Sequence, residues 1–197
     1  MNFDHLIETL RGLPEPVIEQ VHEYVEFLST KHRNKVEEEE NWFWDLIDTI
    51  DQSAHSRTER FAPLMAALLE LNREEFHRFA YQRDKKLRAL DGPAYHDASQ
   101  TGYSADSFLY ARCGVITAGR NYYNNVLANP SSFPADLEDE GFLYCAEQAY
   151  ESKFGEPAEF DTGIIYGSFF NDALWGEGAT FNKIGVTPNA IREQTAR

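Results

Sequence analysis

The sequence predicts a mainly α-helical protein: a helical bundle with an N-terminal helical hairpin and a Gly- and aromatic-rich C-terminal extension. Apolar residues recur in alternating steps of three and four from Phe3 to Phe154, the period of a helix with one greasy face. Capping residues such as Asn72 and Ser104, and stops such as Gly12-Leu13-Pro14, Asp91-Gly92-Pro93, Asn129-Pro130 and Gly155, fall where those stripes begin and end. With 42% hydrophobic residues among 197, the chain has enough apolar material for a core, which excludes global disorder.

Residues 1–33 read as the hairpin. Phe3, Leu6, Ile7 and Leu10 form one stripe, with Asn2 or Asp4 placed to cap its start. Val17, Ile18, Val21, Tyr24, Val25 and Leu28 form a second stripe after Pro16, a proline suited to a first turn. Two such helices cannot bury both stripes alone, so the main body, a partner or a second copy through residues 1–33 is expected to cover them. Residues 34–40 read as an acidic linker, although Glu37–Glu40 also suit the first turn of the next helix.

The body, residues 41–155, opens with a helix over about 39–52 that buries Phe43, Leu46, Ile47 and Ile50 and leaves Asp45, Asp48 and Asp51 in a solvated row. A helix over 57–71 follows, with Pro63 obscuring its start. Asn72 and Glu75 make a capping box for a helix that runs to about Leu90. Residues 94–102 read as a polar loop containing His96 and Asp97. Ser104 caps a long helix with the seam Leu109, Cys113, Ile116, Arg120, Tyr123, Leu127, and Gly119 marks a place where it can break. A helix over 137–154 closes at Gly155. The extension, 156–197, is too aromatic for a free tail and is expected to wrap the body as short strands or a broken helix, its last dozen residues loose or weakly helical.

The formal charge is -15, unevenly spread. Residues 1–56 hold 13 acids and 4 bases, residues 57–92 hold 6 and 8, residues 93–134 hold 2 of each, and residues 135–197 hold 12 and 4. The middle bases Arg73, Arg78, Arg83, Lys85, Lys86 and Arg88 are expected to face acids from the flanks. Such a chain is a poor general nucleic-acid binder, because phosphate contacts supply most non-specific affinity. No apolar run reaches the ~20 residues of a membrane helix. Met1–Leu10 lacks the pattern of a secretory signal, and Cys113 and Cys145 have no metal-type spacing, so a reducing cytoplasm is the expected compartment.

No phosphate loop, nucleophile elbow or H-E-x-x-H run is present. Glu19–His22 and Glu74–His77 match E-x-x-H, a spacing used in di-iron bundles, but two matches barely exceed chance, and no metal or cofactor is expected. Arg120 is the odd residue, a guanidinium in an apolar seam that must find an acceptor. If it serves function rather than packing, Arg112, Arg120, Asp106, Tyr123 and His96 would line a small-anion or carboxylate site. No catalytic set emerges, so the sequence leans away from an enzyme and leaves one open as the alternative.

Several runs together resemble a bacterial family, domain of unknown function 4240, over about 41–155: Asn41-Trp42-Phe43-Trp44-Asp45-Leu46-Ile47, Leu68-Leu69-Glu70-Leu71 with Glu75-Phe76 and Phe79, Tyr103-Ser104-Ala105-Asp106-Ser107-Phe108, Ile116-Thr117-Ala118-Gly119-Arg120, Asn129-Pro130, and Phe142-Leu143-Tyr144 with Ala149-Tyr150-Glu151 and Gly155. Where that family approaches its glycine through Trp-rich sequence, this chain reads Leu90-Asp91-Gly92-Pro93-Ala94-Tyr95. The resemblance implies a helical domain of bacterial type and no activity. Leu13-Pro14-Glu15 and Val25-Glu26-Phe27-Leu28 also resemble domain of unknown function 2281, a short segment of antitoxin-like proteins. The expected function is therefore an acidic protein-interaction or inhibitor module, of antitoxin or immunity type, with a basic protein partner. The alternative is an enzyme or small-anion binder built around Arg120, Arg112 and Asp106.

Overall fold

The structure, a computed structural model, describes residues 3–102 and 104–176. The side chains of Phe3 and Leu6, residue Asn2, and residues 177–197 of the C-terminal extension with its final dozen residues lie outside the described residues. The chain divides into two units, Met1–Trp42 and Phe43–Arg197.

In the first unit, α1 (Phe3–Arg11) ends at a turn where the Gly12 N–H donates to the Glu8 and Thr9 carbonyls. α2 (Glu15–Ile47) starts on the Pro14 carbonyl, which accepts from the Val17 and Ile18 N–H groups. The stretch 34–40, expected as a linker, is helical. Lys31–Glu40 contains no Gly or Pro, and its Lys, Arg and Glu residues are good helix formers, so nothing stops the ladder. Val17, Ile18, Tyr24, Val25, Phe27, Leu28 and Val36 are exposed.

In the second unit the last residues of α2 supply Phe43, Trp44 and Ile47 to the core. Ser56 caps α3 (Arg57–Glu70) by accepting from the Glu59 N–H, so this helix starts ahead of Pro63. The capping box of Asn72 and Glu75 opens α4 (Arg73–Ala89) as the sequence predicts. α4 packs on α6 (Ala105–Thr117) and α9 (Cys145–Phe154), and α9 also packs on α3. Phe76, Phe79, Leu87, Phe108, Ile116 and Phe142 are fully buried between these helices.

Residues 94–102 are not a loop throughout. Pro93 ends α4 but also occupies the first turn of α5 (Pro93–Ser99), where its missing N–H costs nothing. The long helix expected over 104–128 is two helices. Gly119, at φ 97°, takes a conformation that side chains disfavour and separates α6 from α7 (Arg120–Ala128). The segment 137–154 likewise divides into α8 (Glu140–Leu143) and α9, offset at Tyr144. Leu137 lies outside both helices and packs on Gly114 so closely that a Cβ there would meet the Leu137 Cγ at 2.7 Å. A 3-10 turn at Pro130–Ser132 follows α7. Beyond Gly155, residues 156–176 cross the body without any strand among the described residues and end in α10 (Asp172–Trp175).

Candidate functional site

The helical period identifies which charges are forced inward. Arg83 lies four residues after Phe79 and four before Leu87, and Arg112 lies four after Phe108 and four before Ile116, so both fall on buried stripes. Both guanidiniums are buried. Arg120, expected in the apolar seam, is instead a half-buried residue at the first position of α7. The break at Gly119 takes it off the line of α6. Of the expected seam, Cys113, Ile116 and Tyr123 are buried, Leu109 is half-buried and Leu127 exposed, and Arg112, next to Cys113, is wholly buried.

Arg83 stands at the centre of a buried ionic cluster. Its Nε donates to Asp84 at 2.9 Å, and its Nη1 donates to the Leu143 carbonyl at 2.7 Å and to both Glu147 oxygens at 2.9 and 3.0 Å. Burial alone would lower the affinity of this guanidinium for its proton. The facing Glu147 and Asp84 carboxylates outweigh burial and hold the guanidinium above the usual arginine range. Burial pushes the Asp84 carboxyl up, against the pull of Arg83 and of the Thr162 hydroxyl that donates to it. The Tyr166 ring lies over the same guanidinium, and burial raises its phenol too.

Among the described residues Arg112 has no carboxylate in direct contact. Its Nη1 donates to the Leu87 and Tyr166 carbonyls (2.9 and 3.1 Å) and its Nη2 to the Ser168 hydroxyl (2.8 Å). Burial lowers its pKa, partly offset by the nearby Asp91 charge. A small-anion site needs an accessible cation, and this one is enclosed and engaged. The other candidates are dispersed. Tyr123 is buried, its hydroxyl donating to the Lys86 carbonyl at 3.2 Å and its ring packed on Trp44. Asp106 is an exposed acid in the first turn of α6. His96 donates from Nε2 to the Gly102 carbonyl at 2.6 Å, and its ring is packed by Phe108, Phe169 and Trp175.

Asp91 is wholly buried and gathers four donors. Oδ1 accepts from the Phe169 N–H (2.8 Å) and the Trp175 indole (3.1 Å), and Oδ2 accepts from the Phe170 and Asn171 N–H groups (2.8 and 2.9 Å). Nothing in the sequence distinguishes Asp91 from an ordinary helix-stop aspartate, so it is missing from the predicted site. Arg83 was legible by the same spacing that drew attention to Arg120.

The middle bases meet acids only in part. Arg73 pairs with Glu156 and Tyr150, and Arg83 pairs with Glu147. Arg88 instead donates to the Ile165 and Phe170 carbonyls. Lys86 is buried with its ammonium 4.8–5.4 Å from the ring centroids of Phe43, Trp44 and Tyr123, a cation–π box. A cleft of 330 Å³ between α3 and α8–α9 is floored by Phe61, Met65 and Cys145 and bridged at its rim by Arg57 and Glu140, 3.8 Å apart. Burial pushes the Cys113 and Cys145 thiols up to about 12, so neither is a thiolate near neutral pH. Among the described residues no group of three or more His, Cys, Asp or Glu is placed to hold a metal, and no helix is long and apolar enough to cross a membrane.

No curated protein and no solved structure matches the chain. The model of the family described as "Protein of unknown function (DUF4240)" matches residues 39–152, more than half of the chain and nearly all of α2's C-terminal end through α9. It spans the buried Arg83, Asp84, Asp91 and Arg112 along with the core helices that position them, and on that match this chain belongs to the DUF4240 family.

Proposed function

We propose that this chain is an acidic protein-interaction or inhibitor module, of antitoxin or immunity type, that binds a basic protein partner in a bacterial cytoplasm. The observation that carries the reading is the display of carboxylates on the surface of the second unit, while its buried charges balance. In the second unit Arg83, Lys86 and Arg112 are buried, and Arg88 and Lys153 donate to main-chain carbonyls. Asp45, Asp48, Glu59, Glu74, Asp97, Asp106, Glu138, Glu151, Glu159 and Asp172 are exposed. Asp84, Asp91 and Asp139 are buried as well, so burial removes three charges of each sign and the net negative charge is carried by the remaining side chains. Their field speeds encounter with a basic surface and disfavours anionic ones. The enclosed state of Arg112 supports this reading over a small-anion site.

The test is affinity capture from bacterial lysate at low and at high salt, followed by reconstitution with the purified prey. A basic prey whose affinity falls with ionic strength, and falls further with Asp45→Asn plus Asp48→Asn, supports the reading. No prey at either salt, or a salt-independent affinity, overturns it.

A further inference from the structure

The polar side chains along one face of α4 converge on the main chain of a single later segment. Asp84, Arg88 and Asp91 stand at i, i+4 and i+7. Asp84 accepts from the Thr162 hydroxyl at 2.7 Å, and Arg88 donates to the Ile165 and Phe170 carbonyls at 2.9 and 3.2 Å. Asp91 collects three consecutive N–H groups, Phe169 to Asn171, and the Asn171 side chain returns a hydrogen bond to the Arg88 carbonyl at 2.8 Å. From α6, Arg112 holds the Tyr166 carbonyl and the Ser168 hydroxyl, and that hydroxyl donates to the Ala105 carbonyl at 2.6 Å. Phe169 sits at φ 72°, rare for a bulky residue, which turns successive N–H groups toward one carboxylate, the geometry of an anion-binding nest.

The segment adds little to the apolar core. Phe169 is its one buried large hydrophobic residue among those described, while Ile165 is 59% and Leu174 46% exposed. Rich main-chain recognition with one anchoring ring is how a receptor holds a peptide. The receptor residues Asp84, Arg88, Asp91 and Arg112 all lie inside the family match, which ends at residue 152, and the segment lies outside it.

We propose that the groove formed by Asp84, Arg88, Asp91 and Arg112 is a peptide-binding site, filled in cis by this chain's own residues 162–175. Its ligand class is a segment with a small hydroxyl residue followed by an aromatic in the left-handed conformation, as Ser168-Phe169 here, and an indole six residues after that aromatic, as Trp175. Tethering gives the cis segment an effective concentration in the millimolar range, which masks the site from free peptide. This inference does not depend on the acidic surface and stands or falls separately from it.

The test keeps the full chain. A protease site is inserted after Pro157, the protein is cleaved, and a fluorescent synthetic peptide of residues 158–176 is added. The expected result is that the cleaved pieces co-elute on size exclusion, the labelled peptide exchanges in, and helicity by circular dichroism is unchanged. A peptide carrying Trp175→Phe, which alters only the ligand, should bind at least about tenfold more weakly, through loss of a charge-assisted hydrogen bond. Failure of the peptide to enter, loss of helicity when the segment leaves, or equal binding by the Trp175→Phe peptide would each overturn the proposal.

Discussion

Replacing Asp91 with Asn leaves the shape of the side chain intact and removes one acceptor oxygen and the charge. Each carboxylate oxygen serves two N–H donors. Whichever position the amide nitrogen takes, two donors lose their acceptor and face an NH2 group instead. Hydrogen bonds to a charged group contribute about 1.5–3 kcal/mol each, so the loss is about 3–6 kcal/mol. Arg112 also loses the nearby negative charge that offsets its burial. The helices of the body need not open to relieve this, because residues 162–175 can undock. The effect should therefore be local: amide exchange at Phe169, Phe170 and Asn171 should accelerate by about 10²–10⁴, the same energy expressed as an opening equilibrium. Trp175 fluorescence should shift to the red as its indole meets water. Native-state hydrogen exchange, compared with α3 amides such as Leu64 and Leu68, decides the matter. A less than tenfold change at 169–171, or an equal acceleration in α3, would refute the local-latch reasoning.

Gly114→Ala should destabilise the body by about 1–3 kcal/mol in urea titration, because the added methyl would lie within 3 Å of both the side chain and the carbonyl of Leu137. Arg112→Met should cost about 2–4 kcal/mol by leaving buried acceptors unpaired, whereas Arg120→Met, at a helix N-terminus where a cation is unfavourable, should cost less than about 1 kcal/mol; the reverse order would restore Arg120 as the critical cation. The thiols make the fold alkali-sensitive. Cys113 and Cys145 stay protonated up to about 12 when folded but ionise near 9 when unfolded, so stability is fully present below about pH 8 and falls as pH rises from there toward 12, by up to about 1.4 kcal/mol per pH unit for each thiol. Urea midpoints at pH 7, 9 and 10.5 should drop in the native chain and drop less in the Cys113→Ala/Cys145→Ala variant, and a thiol reagent at pH 8 should label neither cysteine until urea is added.

What the sequence disclosed follows from how local the physics is. The capping box at Asn72, the Ser104 cap and the Gly155 stop are each written within four residues, and each appears in the structure as read. Residues 34–40 read as a linker because charge density suggests solvation, while the absence of a helix breaker makes their backbone helical. The sequence points to an inward guanidinium at Arg120, whereas Arg112 is the enclosed one, because the C-terminal part of α6 is buried on all sides from Ala111 to Thr117 and not along a single stripe. The break at Gly119 turns Arg120 off the line of α6, while Tyr123 stays buried. The Asp91 latch had no local signature at all, since its partners are main-chain amides 78–80 residues away.

Those separations set a timetable for synthesis. Arg60 meets Asp139 79 residues later, Lys153 reaches back 84 residues to Leu69, and Asp91 waits for Trp175, also 84 residues on. An all-helical chain ordinarily folds fast because its contacts are short-range. Here the ribosome must deliver residue 147 before Arg83 meets Glu147, and residues 166–175 before Arg112 and Asp91 have all their partners. Until residue 175 has been made, Asp91 lacks its full set of donors, so the last contacts of this buried carboxylate form only after α1 to α9 have been synthesised.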